Sequence, residues 1–269
     1  MLLKVTNFCS AGCSHCMENS TRAGKPMTEE TLRRALAMTR RVEAEAYAVG
    51  CLPKILLSGG ECTEHPDIVR FIEIVIAEGF HPHLISNGMW LGNAELRSAI
   101  LRPEWKQIAV QVTNDKRFYP KQLPCVVSDP RISYTARLPT GLVPLGRAAS
   151  HEASDEEPHL KAPTSFNLRS ITRSLGSIGA AVAVLRARAG IGLGGNCVPS
   201  VTENGDVMAG ETRFCFKIGT VDSSNEELTR GLVEMRCNRC GLVDNLTQEQ
   251  KRAIGESALF SPYEIGGLR

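Results

Sequence analysis

Four short apolar runs, each followed at once by Cys, Gly or Asn, constrain the fold more than any other feature of this sequence. They are LLKVTNF (2–8), KILLS (54–58), HPHLIS (81–86) and QIAVQVT (107–113). Stretches of helical spacing separate them. Thr28 begins a helix with Glu29 and Glu30 in its first turn, where acids favour the dipole. Leu32, Ala35, Leu36, Thr39, Val42 and Ala46 then recur at helical intervals. Pro66 suits the first turn of a second helix, whose Ile68, Phe71, Ile72, Val75 and Ile76 share a face and which Gly79 ends. A third helix is predicted over 93–101. Strand and helix alternating at such short range means parallel βα units. Ligands on such sheets gather beyond the carboxyl ends of the strands. The fold class is therefore α/β, with Cys9, Cys13, Cys16, Gly59-Gly60-Glu61, Ser86-Asn87-Gly88 and Thr113-Asn114-Asp115 on one rim.

Beyond Asp115 the alternation weakens. Strands are expected near 132–136 and 142–145, and the polar, Pro-bounded stretch 151–163 reads as a linker. One helix is expected after it, with Phe166, Ile171, Leu175, Ile178, Val182 and Leu185 on one face. This divides the chain into a core at 1–149, a linker and helix at 150–195, and a cysteine-rich extension at 196–269. No internal repeat or low-complexity tract is visible.

Cysteine usage carries the chemistry. The 269 residues include ten cysteines. No signal peptide is read at the start, so the thiols point to metal or redox chemistry in a reducing cytoplasm rather than to disulfides. A net charge of +2 gives no electrostatic case for nucleic acid or a membrane surface. No apolar run approaches transmembrane length. Cys9, Cys13 and Cys16 lie within eight positions. Soft thiolates at this spacing suit zinc or an iron–sulfur cluster. Zinc would need His15 or a distant Cys as fourth ligand. A [4Fe–4S] cube held by three cysteines would keep one iron open.

The set of rim motifs resembles the radical S-adenosylmethionine (SAM) superfamily. Cys9, Cys13 and Cys16 match its C-x₃-C-x₂-C signature, with His15 where an aromatic ring is usual. Gly59-Gly60-Glu61 resembles its GGE turn, Ser86-Asn87-Gly88 an SNG-type turn, and Thr113 with Asp115 a Ser-x-Asp element. Leu145-Gly146-Arg147-Ala148 resembles the GRA turn after the last barrel strand. The resemblance implies a partial (β/α) barrel and a [4Fe–4S] cluster whose open iron is chelated by the amino and carboxylate groups of SAM. It implies that Gly59, Gly60, Glu61, Ser86, Asn87, Thr113 and Asp115 line the SAM site. Arg147 is expected to close the barrel end by pairing with a carbonyl or an acid.

Cys197, Cys215, Cys237 and Cys240 form a second set, ending in C-x₂-C. They resemble the SPASM and Twitch extensions, which carry auxiliary iron–sulfur clusters. Two departures stand out. Counting from Gly205, the usual next cysteine falls on Gly210, whereas Cys215 fits a count from Gly210 itself; and no cysteine follows Cys240. One auxiliary cluster or a structural zinc is the expectation. Cys51, Cys62 and Cys125 read as packing or surface residues.

The function this implies is reductive cleavage of SAM to a 5′-deoxyadenosyl radical, then hydrogen abstraction from a substrate. A one-electron reductant such as flavodoxin or ferredoxin would be the partner. A peptide or protein residue is the first substrate expectation, by analogy with enzymes bearing such extensions. The triplet begins so early that no recognition domain precedes it, which counts against a leader-dependent maturase. A small molecule such as a nucleotide or cofactor precursor is the alternative. A non-catalytic zinc-binding interaction protein is the alternative of another class.

Overall fold

A computed structural model of the chain describes residues 1–114, 119–135, 146–150, 165–188 and 199–235. Strand β1 spans Leu2–Thr6 and leads into the cysteine loop. Helix α1 follows at Glu29–Val42, capped by the Thr28 hydroxyl, which accepts from the Thr31 N–H. A short helix α2, Ala44–Ala48, precedes β2 at Lys54–Gly59. Helix α3 is Ile68–Ala77, and Gly79 behind it takes φ 80°, a conformation that costs glycine little. Strand β3 is His81–Ser86, α4 is Ala94–Ile100 with Asn93 as its cap, and β4 is Ala109–Thr113. Strand β5 is Ile132–Thr135.

The single helix expected around 166–185 is instead two, α5 at Ser165–Leu175 and α6 at Ile178–Arg188. Gly176 sits between them at φ 69°, so the chain turns where the apolar spacing runs on. The expected strand at 142–145 and the linker 151–163 lie outside the described residues.

The last described part continues the main sheet. Strands β6, Ser200–Val201, β7, Asp206–Met208, and β8, Lys217–Thr220, are followed by α7 at Asn225–Glu234. The strand order is β5-β4-β3-β2-β1-β6-β7-β8. From β5 to β6 every pairing is parallel, and β7 and β8 then run antiparallel. Among the described residues the sheet stays open, with β5 and β8 as its edges.

One face of the sheet is apolar. Leu3, Val5, Ile55, Leu57, Leu84, Val110, Val112, Val201 and Val207 are all buried there, beneath Leu32, Leu36, Phe71, Ile72, Ile178 and Leu228 of the helices. Alternation along each strand turns the intervening residues to the other face. That face is polar in part: Lys4 stands opposite Ser58, Ile85 opposite Gln111, Gln111 opposite Ser133 and Thr113 opposite Thr135. Parallel strands with both faces covered by helices read as continuous apolar runs. The second face here is instead half polar among the described residues.

Candidate active site

The rim is built from backbone first. Beyond β1 the chain doubles back on itself. Asn7 N–H donates to the Lys25 carbonyl at 3.1 Å, Cys9 N–H to Thr21 at 3.0 Å and Met27 N–H to Val5 at 2.7 Å. Gly24 permits this return, since a Cβ there would lie 2.2 Å from the Phe8 nitrogen. The end of β2 then lies against this loop: Gly60 N–H donates to the Thr6 carbonyl at 2.8 Å and Glu61 N–H to Phe8 at 2.9 Å. A Cβ on Gly59 or Gly60 would sit 2.1 Å from the Thr6 or Phe8 carbonyl oxygen, and Gly59 holds φ 137°. The double glycine therefore brings the β2 turn into contact with the cysteine loop. Glu64, on the 3-10 turn Cys62–Glu64, accepts from Ser10 N–H at 2.8 Å and from the Ser10 hydroxyl, and so fixes the loop between its first two cysteines.

Glu61 is buried and ties β2 to β3. Its carboxylate accepts from Asn87 N–H at 2.7 Å and from the Thr63 N–H and hydroxyl at 3.2 and 2.7 Å. Burial raises its pKa, while these donors and Ser86 work against that rise. Ser86 also accepts from Gly88 N–H at 3.0 Å, and Asn87 Oδ1 accepts from Met89 N–H at 2.9 Å. Thr113 donates to the Ser86 carbonyl at 3.4 Å, and the Asn114 amide to that of Asn87 at 3.3 Å. Gly59, Gly60, Glu61, Ser86, Asn87 and Thr113 thus occupy adjacent strand ends. Asp115 lies outside the described residues.

The three thiols are gathered beside this turn. Cys9 and Cys13 are buried and Cys16 is half-buried. Burial pushes the Cys9 thiol up to about 11, with Glu61, Glu64 and Cys16 adding to the rise. Burial pushes Cys13 to about 12, with Cys9 and Cys16 adding to it and Arg147 opposing. Buried, mutually repelling sulfurs of this kind become thiolates only when a cationic group sits among them. Among the described residues no three Cys, His, Asp or Glu groups close on a single ion position. Sulfurs that each hold a different iron of a cube need not do so, and the three thiols fit a multinuclear cluster.

Two residues enter the site that sequence patterns did not single out for it. Tyr119 lies next to Thr113, its hydroxyl 3.2 Å from the threonine oxygen, and its ring stands 5.0 Å from that of His15. Burial raises its pKa, and Cys13, Glu61 and Cys9 lie close enough to contribute. It belongs to a Pro-rich stretch with no periodicity, so no local signal marks it. Glu64 was readable only as the acid three positions after Glu61. Cys62 is fully buried and donates to the Ile85 carbonyl at 3.3 Å. His65 bridges the Met27 carbonyl at 2.9 Å and Asp67 N–H at 3.0 Å, a structural pairing.

Of the second cysteine set, Cys197, Cys237 and Cys240 lie outside the described residues. Cys215 is in the loop between β7 and β8, 3.7 Å from the Thr212 hydroxyl. The same loop carries Arg213, which bonds Glu203 at 3.0 Å and approaches Glu18 at 3.5 Å. Lys4 pairs with Glu18 from below, so the loop that bears Cys215 is tied to the segment following Cys16.

Sequence comparison matches residues 3–119 to the radical SAM superfamily. No curated protein matches the chain. Among solved structures it resembles Streptococcus suis SuiB bound to S-adenosylmethionine, at 10% identity and a TM-score of 0.47, over 90% of this chain and 71% of that one. It also resembles anSMEcpe with bound AdoMet and Cp18Cys peptide, at 13% identity and a TM-score of 0.40, over 90% and 81% of the two chains. Likeness at this level carries no argument about function. The matched segment contains the cysteine triplet, the double-glycine turn and the ends of β1 to β4, and this segment, less than half of the chain, is similar to the radical SAM superfamily.

Proposed function

We propose that this protein binds a [4Fe–4S] cluster through Cys9, Cys13 and Cys16, binds SAM against the neighbouring strand ends, and abstracts hydrogen from a peptide or protein residue. The observation that carries the reading is the contact between the β2 turn and the loop of three neighbouring thiols, two of them buried. When bound, the cluster supplies the electron that splits SAM, and the 5′-deoxyadenosyl radical so released removes the hydrogen atom.

The chain's own residues position and shield. Glu61 has both carboxylate oxygens engaged by donors from β2 and β3, so it holds the two strand ends at fixed separation. Gly59 and Gly60 leave backbone, not side chain, against the Thr6 and Phe8 carbonyls where the cysteine loop begins. Ser86, Asn87, Thr113 and Asp115 are the candidate polar contacts for SAM. Tyr119 and His15 cover the loop and limit water there. The half-polar sheet face below, with Ser58, Gln111 and Ser133, is the candidate wall of the substrate space. Cys215 with Cys197, Cys237 and Cys240 would hold an auxiliary cluster. The peptide assignment follows from the resemblance of this extension to those on peptide-modifying enzymes. A flavodoxin or ferredoxin in the cytoplasm would supply the electron.

Anaerobically reconstituted, reduced protein should convert SAM to 5′-deoxyadenosine and methionine. It should hold about four irons with matching sulfide at the first site. Cys13→Ala should abolish the cleavage. Zinc without sulfide in the wild type, or undiminished cleavage in the variant, overturns the proposal.

A further inference from the structure

We infer that Arg147 positions the first cysteine loop and raises the reduction potential of the cluster bound there. This rests on the proposed cluster at Cys9, Cys13 and Cys16.

Arg147 stands on a single 3-10 turn, Gly146–Ser150, and reaches a loop more than a hundred residues earlier. Its Nε donates to the Cys13 carbonyl at 2.9 Å. One terminal nitrogen donates to the Ser20 carbonyl at 2.9 Å and to Asn19 Oδ1 at 3.2 Å. Its backbone N–H donates to the Cys16 carbonyl at 3.0 Å. Among the described residues, two of these acceptors are carbonyls of cysteines in the triplet. Glycine is required beside it: Gly146 has φ 57°, and a Cβ there would meet the Cys16 and Met17 carbonyls at 2.8 Å.

Besides Arg147, the second half of the loop is held by Glu18, which pairs with Lys4 and Arg213 and acts beyond Cys16 rather than on Cys13. The internal bonds of this half are long, 3.4 Å from Cys16 N–H to Cys13 and 3.3 Å from Asn19 N–H to Cys16. Asn19 is left-handed at φ 53°, a conformation asparagine tolerates better than most residues. The first half is fixed by Glu64 and by the bond from Cys9 to Thr21. A planar guanidinium can serve three acceptors at once in fixed directions, which an ammonium cannot reproduce. The same group is a permanent cation beside Cys13. Reduction adds one negative charge to a cluster, so a fixed positive charge favours the reduced form, and hydrogen bonding and net charge around a cluster set its potential.

The test compares wild type, Arg147→Gln and Arg147→Lys as reconstituted holoproteins. The one-electron couple is titrated potentiometrically and read by electron paramagnetic resonance. Loss of iron to a chelator is timed, and amide exchange over residues 9–20 is measured in the metal-free proteins. Arg147→Gln should shift the reduction equilibrium about tenfold toward the oxidised form, about 59 mV lower for one electron. It should also release iron faster and exchange faster over the loop. Arg147→Lys should keep the potential near wild type and still release iron faster, because charge is retained and the fork is lost. An unchanged potential in Arg147→Gln overturns the inference, even if the variant is less stable. Exchange over 9–20 unchanged in the metal-free Arg147→Gln protein overturns it as well, and this arm needs no cluster. Wild-type protein that takes up no iron and sulfide would instead refute the cluster reading, which is a separate result.

Discussion

Glu61 is where a single side chain decides most. Both of its oxygens accept and neither donates, from partners on two different strand ends. Glu61→Gln keeps the shape but turns an amide N–H₂ toward a backbone N–H, leaving a buried donor opposed by a donor. The cost should be about 1–3 kcal/mol in unfolding free energy, seen as a lower urea midpoint. Two other titratable groups make opposite pH predictions. His83 on β3 has neither ring nitrogen hydrogen-bonded, and burial with the nearby Lys54 charge lowers its pKa to about 4. Unfolded, it would take up a proton near 6.5, so stability from this group is present above that pH and is lost as pH falls toward 4. Burial raises Glu211 to about 7, with Lys4 opposing and Glu18 adding. Its unfolded carboxyl releases a proton near 4.3, so its contribution declines as pH rises from there to about 7. Compared with wild type, His83→Gln should lose less melting temperature between pH 7 and pH 5. Glu211→Gln should lose more. Parallel profiles for the two variants would contradict both assignments.

At the scale of elements, capping and punctuation explain what holds each piece. Helix α7 begins with a reciprocal pair: Ser224 accepts from Glu227 N–H at 3.2 Å, and Glu227 accepts from Ser224 N–H at 2.8 Å. Ser224→Ala should cost about 1 kcal/mol of stability. Cleavage of SAM should stay unchanged, since α7 packs on β8 and α5, far along the sheet from the triplet. A large loss of cleavage would mean that the outer strands support the site more directly than their position suggests. Several elements were legible from local pattern. HPHLIS is observed at the expected bounds because the motif ends on Asn87-Gly88, and Thr28 caps α1 because its hydroxyl reaches the Thr31 N–H. Strands β6 and β7 were not legible. With two and three residues they have no periodicity of their own, and only pairing with β1 and with one another makes them strands. The break between α5 and α6 was missed because the apolar spacing of Ile171, Leu175, Ile178 and Val182 passes straight over Gly176.

For the molecule as a whole, the buried ion network matters most. Lys4 is 2% exposed on β1, pairs with Glu18 and lies near Glu211, while Arg213 connects Glu18 to Glu203. The network joins the segment after Cys16 to the loop that bears Cys215. Lys4→Met removes one partner and leaves the acids crowded in a dry place, so it should destabilise by about 3–5 kcal/mol. Equilibrium unfolding would measure this, and a change under 1 kcal/mol would show that Arg213 alone neutralises the acids. No helix among the described residues is long and apolar enough to cross a membrane.

Local order along the chain was enough to establish which chemistry is available and where strands end. Three cysteines four and three apart, a double glycine after an apolar run, and Asn-Gly after another are all short-range facts, and short-range sterics give them meaning. What folding alone could decide is which of these ends touch, and what clasps them. Arg147 on Cys13, Glu61 on Asn87, and Arg213 on Glu18 join residues 26 to 195 positions apart. Such contacts depend on the three-dimensional order of strands, with β1 at the centre between β2 and β6, and no periodicity within a window of residues encodes that order.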